Sequence, residues 1–142
     1  MKVEHILQTK GADVFAVSGA TSVKDAVDLL GEKNIGAVVV KAARGAVTGI
    51  FSERDVVRRL KSEGAGVLGR PVSDCMTPNP LTCTVETDLD ELMSTMTNKR
   101  VRHIPVVESG KLVGIVSIGD VVKRKIDQAE REAAMLKEYI AS

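Results

Sequence analysis

The chain has 142 residues, 44% of them hydrophobic and 27% charged, with a net charge of +1 and aromatics at only 2%. That length and composition suit one compact domain, or two small halves sharing a core, able to bury roughly 68–70% of the unfolded surface. A near-zero charge and three aromatic rings (Phe15, Phe51 and Tyr139) argue against a nucleic-acid or membrane surface and against a base-stacking platform. Cys75 and Cys83 are too few for a disulfide framework and have no zinc-ligand spacing, so they read as reduced structural thiols. No apolar run is long enough to span a membrane, and Met1–Ile6 lacks the core of a signal peptide. The expected location is the cytoplasm.

In chain order, Val3–Leu7 reads as a helical turn and Val14–Val17 as a short strand. Val23, Ala26, Val27 and Leu30 recur at helical spacing, and the helix stops between Gly31 and Asn34. Ala37–Val40 and Val47–Phe51 are β-branched runs joined through Ala43–Ala46 as a hairpin. A Gly/Pro-rich stretch, Gly64–Pro80, follows, with one helical turn expected at Val72–Met76. Leu81–Val85 reads as a strand, and Leu89, Leu92, Met93 and Met96 as a helix. Ile104–Val107 and Leu112–Val116 form a second hairpin through Glu108–Lys111. Pro105 inside a strand pattern implies an edge or terminal position.

These elements make the same pattern twice. Thr21 to Val57 and Thr87 to Val122 match with an offset of 66 at the start and 65 at the end. A repeat of this length is a supersecondary unit, and two copies imply a pseudo-symmetric pair closing one core. The fold class is α/β (α+β), built from tandem β-α-β-β-α repeats. The divisions are residues 1–66 for the first repeat with its lead-in, 67–125 for the second, and 126–142 for a helical extension. In that extension Val122, Ile126, Ala129, Ala133, Leu136 and Tyr139/Ile140 form a narrow seam beside a charged face. Such a helix either folds back on its own domain or joins a homodimer contact.

The doubled element is Gly-hydrophobic-hydrophobic-Ser-x-x-Asp, at Gly49–Asp55 and at Gly114–Asp120. Ser-x-x-Asp ahead of an apolar helical run is a capping box, a device that Ser22–Asp25 and Thr87–Asp90 repeat at the other two helices. A strand-to-helix junction also presents unpaired N–H groups and a positive dipole end, a seat for phosphate. There the carboxylate can hold ribose hydroxyls, and Arg54, Arg58, Arg102 and Lys123 can face phosphates.

Together with Arg102–Val107 and Asp74–Pro80, these two elements make residues 1–125 resemble a pair of cystathionine-β-synthase-type (CBS) domains, the Bateman module. The similarity is greatest to stand-alone bacterial proteins made of one such pair and a terminal helix. The resemblance implies two units packed sheet to sheet around a pseudo-twofold axis, with two clefts for adenosine-containing ligands. It implies one cleft made by Ser52, Arg54 and Asp55 with Leu81, Val101, Arg102 and His103. The other would join Ser117, Gly119 and Asp120 with Lys10, Phe15, Ile35 and Gly36. The first, with two arginines and a histidine, is expected to prefer more phosphate.

The function so implied is a homodimeric sensor of AMP, ADP or ATP that acts on an unidentified partner protein, with magnesium accompanying a triphosphate. A sensor of NAD, NADH or S-adenosylmethionine, and a ligand-free structural adaptor, are the alternatives. An enzyme is not expected, because no nucleophile has a base at a recognisable spacing and no phosphate-loop glycine motif is present.

Overall fold

A computed structural model describes residues 1–11 and 13–141. Its elements run α1 (Val3–Lys10), β1 (Ala16–Ser18), α2 (Val23–Lys33), β2 (Ala37–Lys41), β3 (Val47–Ser52) and α3 (Glu53–Glu63). Two 3-10 turns follow, Gly64–Gly69 and Val72–Asp74, and then β4 (Thr77–Pro78), α4 (Leu89–Lys99), β5 (His103–Glu108), β6 (Lys111–Ser117) and α5 (Ile118–Ala141). One sheet has the order β1-β2-β3-β4, with β1 parallel to β2 and the other pairs antiparallel. The second sheet is the antiparallel pair β5-β6.

Part of the inequality of the sheets traces to Pro105. In the first half the Val39 N–H donates to Phe15 O at 3.1 Å, which starts the β1-β2 ladder. The matching position in the second half is Pro105, which has no N–H to give to Leu81. Instead of the expected strand at Leu81–Val85, only Cys83 pairs with β5, as an isolated parallel bridge to Val106. Cys83 N donates to Pro105 O at 3.0 Å and Val107 N to Cys83 O at 2.8 Å. Pro105 therefore lies inside β5, with its missing donor on the strand's outer edge.

Two buried clusters, not one, lie under the helices. One joins Val23, Ala26 and Leu30 of α2 to Val38, Val40 and Phe51, and is closed by Val67, Val72 and Cys75. The other joins Leu89, Leu92 and Met96 of α4 to Ile104, Val106 and Val116, and is closed by Val3 and Ile6 of α1. The N-terminal helix thus packs on the second repeat, while the connector between the repeats packs on the first. Val3 N to Thr87 O at 2.9 Å and Val72 N to Thr21 O at 2.7 Å are the matching anchors. Each segment also crosses a glycine of the repeat. Leu7 Cδ2 lies 2.7 Å from where a Cβ on Gly114 would stand, and Met76 packs on Gly49 in the same way.

The two segments differ in length. The N-terminal one continues to Lys10 as a true helix, whereas the connector stops after one 3-10 turn, and Thr77–Pro78 pairs with β3 as a strand. The residue before a proline is pushed out of the helical region, which accounts for that stop. Ala37, Val39 and Ile50 are buried yet belong to neither helix-side cluster, so the opposite face of β2-β3 is covered as well. A strand buried on both faces reads as a continuous apolar run, as Ala37–Val40 does.

Helix α5 leaves the rest of the molecule. Val121 is buried, Arg124 donates to Thr9 Oγ1 at 3.2 Å, and Lys125 pairs with Asp90. From Ala129 to Ala141 every residue is exposed, so this part of the helix does not fold back on its own domain. No described helix is long and apolar enough to cross a membrane.

Candidate functional site

Both Ser-x-x-Asp elements fall at a strand-to-helix junction and cap the helix that follows. At Ser52 the backbone N–H donates to Asp55 Oδ2 at 3.0 Å, and Asp55 N donates back to Ser52 Oγ at 3.4 Å. At Ser117 the corresponding bonds are 2.9 and 3.1 Å. The Ser22 hydroxyl accepts from Asp25 N at 3.1 Å. Helix α4 departs from the expectation. Its cap is Asp88, accepting from Asp90 N at 3.1 Å, because the Thr87 hydroxyl is turned to the Thr84 N–H.

The capping carboxylates have different second partners. Asp55 is 8% exposed, and its Oδ1 accepts from the Thr77 hydroxyl at 3.3 Å. Asp120 Oδ2 lies 2.7 Å from the Lys10 ammonium, which also donates to Ile115 O at 2.9 Å. Burial acts to raise the Asp120 pKa, but the bonds from Lys10 and Ser117 and the Lys10 charge outweigh it. The carboxyl is held below its ordinary range.

Two recesses open at these junctions. The larger, about 640 Å³, is lined by Arg54 at the start of α3, by Met96, Thr97 and Arg100–Arg102 around the end of α4, and by Ile118. Among the described residues, Arg54, Arg100 and Arg102 form no ion pair with a carboxylate. The smaller, about 320 Å³, is lined by Lys10, Asp13, Phe15, Asn34–Ala37, His103, Ile115, Ser117 and Asp120. Three guanidiniums thus face one recess, while the other sets one ammonium against two carboxylates.

The expected site residues are distributed as follows. Arg54, Val101 and Arg102 meet in the larger recess; Ser52, Asp55 and Leu81 are not among its lining residues. Leu81 is 44% exposed, in keeping with the strand that Pro105 prevents from forming. Lys10, Phe15, Ile35, Gly36, Ser117 and Asp120 meet in the smaller recess; Gly119 does not line it. His103, expected beside Arg102, lines this smaller recess instead. Its Nε2 lies 3.4 Å from the Cβ position of Gly36, so the imidazole packs against that glycine. Burial, then the nearby Lys10 charge, lowers the His103 pKa. Arg58 and Lys123 are exposed and line neither recess.

Arg100 is the residue that motif reading missed. It caps α4 in the left-handed conformation with φ 54°, as Asn34 caps α2 with φ 52°. The repeat offset relates the two, so aligning the helix ends would have found it. Asp13 has no counterpart in the repeat motif and carried no signal.

A pair of helix-capped sheets with a recess at each strand-to-helix junction defines a two-repeat binding module. The chain matches the CBS domain over residues 3–62 and 72–127 and belongs to that family. It resembles the crystal structure of the CBS-domain containing protein ATU1752 from Agrobacterium tumefaciens with a TM-score of 0.85 and 46% identity, covering 88% of this chain and 99% of that one. It is 37% identical over 123 residues to the CBS domain-containing protein CBSX3, mitochondrial, of Arabidopsis thaliana; the match covers 84% of this chain and about 60% of that protein's length. It is also similar to CBSX2, solved in complex with AMP, with a TM-score of 0.72 and 29% identity over 90% of this chain and 98% of that one.

Proposed function

We propose that the chain is a regulatory module that binds an adenine nucleotide of the AMP, ADP or ATP class and passes the signal to a partner protein. One observation carries the reading: the two recesses at the capped helix starts have opposite electrostatic character. In the smaller, Phe15, Ile35 and Ile115 offer apolar walls for adenine, and Asp120 offers a carboxylate for ribose hydroxyls. In the larger, Arg54, Arg100 and Arg102 converge without a carboxylate, an arrangement suited to phosphate oxygens. The AMP complex of the similar CBSX2 supports the adenosyl class. Magnesium would accompany a triphosphate, neutralising charge that the three arginines do not.

A ligand-free adaptor is the second reading. Asp55 favours it, because Ser52 and Thr77 already occupy both of its oxygens.

The test is a thermal-shift panel on pure protein with AMP, ADP, ATP, NAD, NADH and S-adenosylmethionine, with and without magnesium. A ligand at 100 times its dissociation constant adds about 2.7 kcal/mol, which is roughly 5–10 °C for a chain of this size. A shift with one adenine nucleotide, lost when Asp120→Ala is introduced, supports the sensor. No shift with any of them, on folded protein free of nucleotide, moves the reading to the adaptor. A shift confined to NADH or S-adenosylmethionine replaces the ligand class.

A further inference from the structure

We propose that Lys10 makes the smaller recess selective for a nucleoside that carries phosphate over the same nucleoside without it, because its ammonium competes with ribose for Asp120. The inference rests on the adenine-nucleotide reading above and assigns the ligand's charge at that recess. The Lys10 ammonium lies 2.7 Å from Asp120 Oδ2, and the Ser117 N–H donates to the same oxygen at 2.9 Å. A carboxylate oxygen has two lone pairs, so these two donors fill Oδ2. Asp120 Oδ1 has no hydrogen-bond partner among the described residues and is open to solvent. A ribose brings two neighbouring hydroxyls, one for each oxygen of a carboxylate. Asp120 can take both only after the ammonium has left.

The other repeat lacks this arrangement. Asp55 is held by neutral donors alone, the Ser52 N–H and hydroxyl and the Thr77 hydroxyl. With Val3 matched to Val72, Lys10 matches Asn79, which carries no charge. The competition therefore belongs to the smaller recess. Lysine carries its charge on a flexible four-carbon stem, so the ammonium can turn from Asp120 while α1 stays docked through Val3 and Ile6. What it turns to decides the specificity. A phosphate supplies an anion inside the recess in exchange for the carboxylate. A bare nucleoside supplies none, which leaves the ammonium with the Ile115 carbonyl and the exposed Asp13. A sulfonium on the sugar would meet it as a like charge.

The test measures binding of adenosine and AMP to the full chain by equilibrium dialysis. The wild-type protein should bind AMP more tightly. Lys10→Met should tighten adenosine by up to about fivefold, because Asp120 is released, and should weaken AMP by at least as much. The preference for AMP should thus fall about tenfold or more. Lys10→Gln, which keeps a donor for the Ile115 carbonyl, should act in the same direction and serves if Lys10→Met melts early. Adding Asp120→Asn to Lys10→Met should abolish the adenosine gain, which separates the freed carboxylate from freed space. Lys111→Met removes a positive charge at the far end of β6 from Ser117 and should leave the preference unchanged. Equal losses of adenosine and AMP in Lys10→Met, no change in either, or an adenosine gain that survives Asp120→Asn would overturn the role of Lys10 and leave the nucleotide reading standing. Binding of neither ligand to the wild-type protein or any variant would remove the nucleotide reading and this inference with it.

Discussion

The Lys10 ammonium reaches 2.7 Å from Asp120 Oδ2 and ties the end of the N-terminal helix to the first turn of the last one. Both side chains are largely covered, at 33% and 23% exposure, so solvent screens the pair less than a surface ion pair. Asp120 titrates below its ordinary range when folded. Its unfolded state therefore takes up protons first, and its contribution to stability is complete above the ordinary carboxylate range, near pH 4. That contribution is lost as the pH falls through the lower folded value. Lys10→Met should cost about 0.5–1 kcal/mol at pH 7, and the cost should shrink as the pH drops below 4. Urea unfolding of both proteins at several pH values checks this. A cost that does not change with pH would mean that Lys10 acts by packing alone.

The larger recess makes a prediction about ligand charge. Arg102→Gln should weaken binding of ATP more than binding of AMP, because each added phosphate meets the missing guanidinium. Arg100→Gln should behave in the same way. Calorimetric titrations with both nucleotides measure the difference, and raising the salt should narrow it. Equal losses for AMP and ATP would remove the arginines from phosphate recognition.

Much of this was legible in the sequence, for identifiable reasons. The helices were, because Val23/Ala26/Leu30 and Leu89/Leu92/Met96 repeat at helical spacing and face buried clusters. So was the pairing of Gly49 with Gly114, since a repeat exposes matching positions directly. The missing strand at Leu81 was also encoded, but in Pro105, more than twenty residues away, and only the matched hydrogen bond from Val39 to Phe15 reveals its meaning. The crossing of α1 onto the second repeat was not legible. Val3 and Val72 do the same job in opposite halves, yet no local pattern tells which core an apolar residue enters. The place of His103 beside Gly36 is a contact between distant segments, which no local pattern announces.

The two crossed glycines should respond unequally to a methyl group. A Cβ at Gly114 meets only the end of the Leu7 side chain, which can rotate away. A Cβ at Gly49 meets Met76 and also the Thr77 carbonyl oxygen at 2.9 Å, a backbone atom fixed by the β3-β4 pairing. Overpacking of this kind typically costs about 1–3 kcal/mol. Gly114→Ala should fall at the low end and Gly49→Ala at the high end or beyond. Adding Leu7→Ala to Gly114→Ala should recover part of the packing strain, whereas Met76→Ala should do little for Gly49→Ala. Denaturant midpoints at an unchanged slope give the comparison.

His103 supplies a pH test separate from Asp120. Burial, with Lys10 nearby, disfavours the imidazolium, so the folded pKa lies below the ordinary value of 6.5. The unfolded state then binds the proton more readily than the folded one. The neutral ring's advantage is present above pH 6.5 and is lost as the pH falls through the folded value. His103→Gln removes that titration, so its stability curve should be flatter than that of the wild-type protein just below pH 6.5. A proton NMR titration of the His103 imidazole, compared with the ordinary value of 6.5, checks the direction. If His103 titrates at or above 6.5, its ring is solvated or paired with Glu53 or Asp120, and the recess is more open than the structure has it.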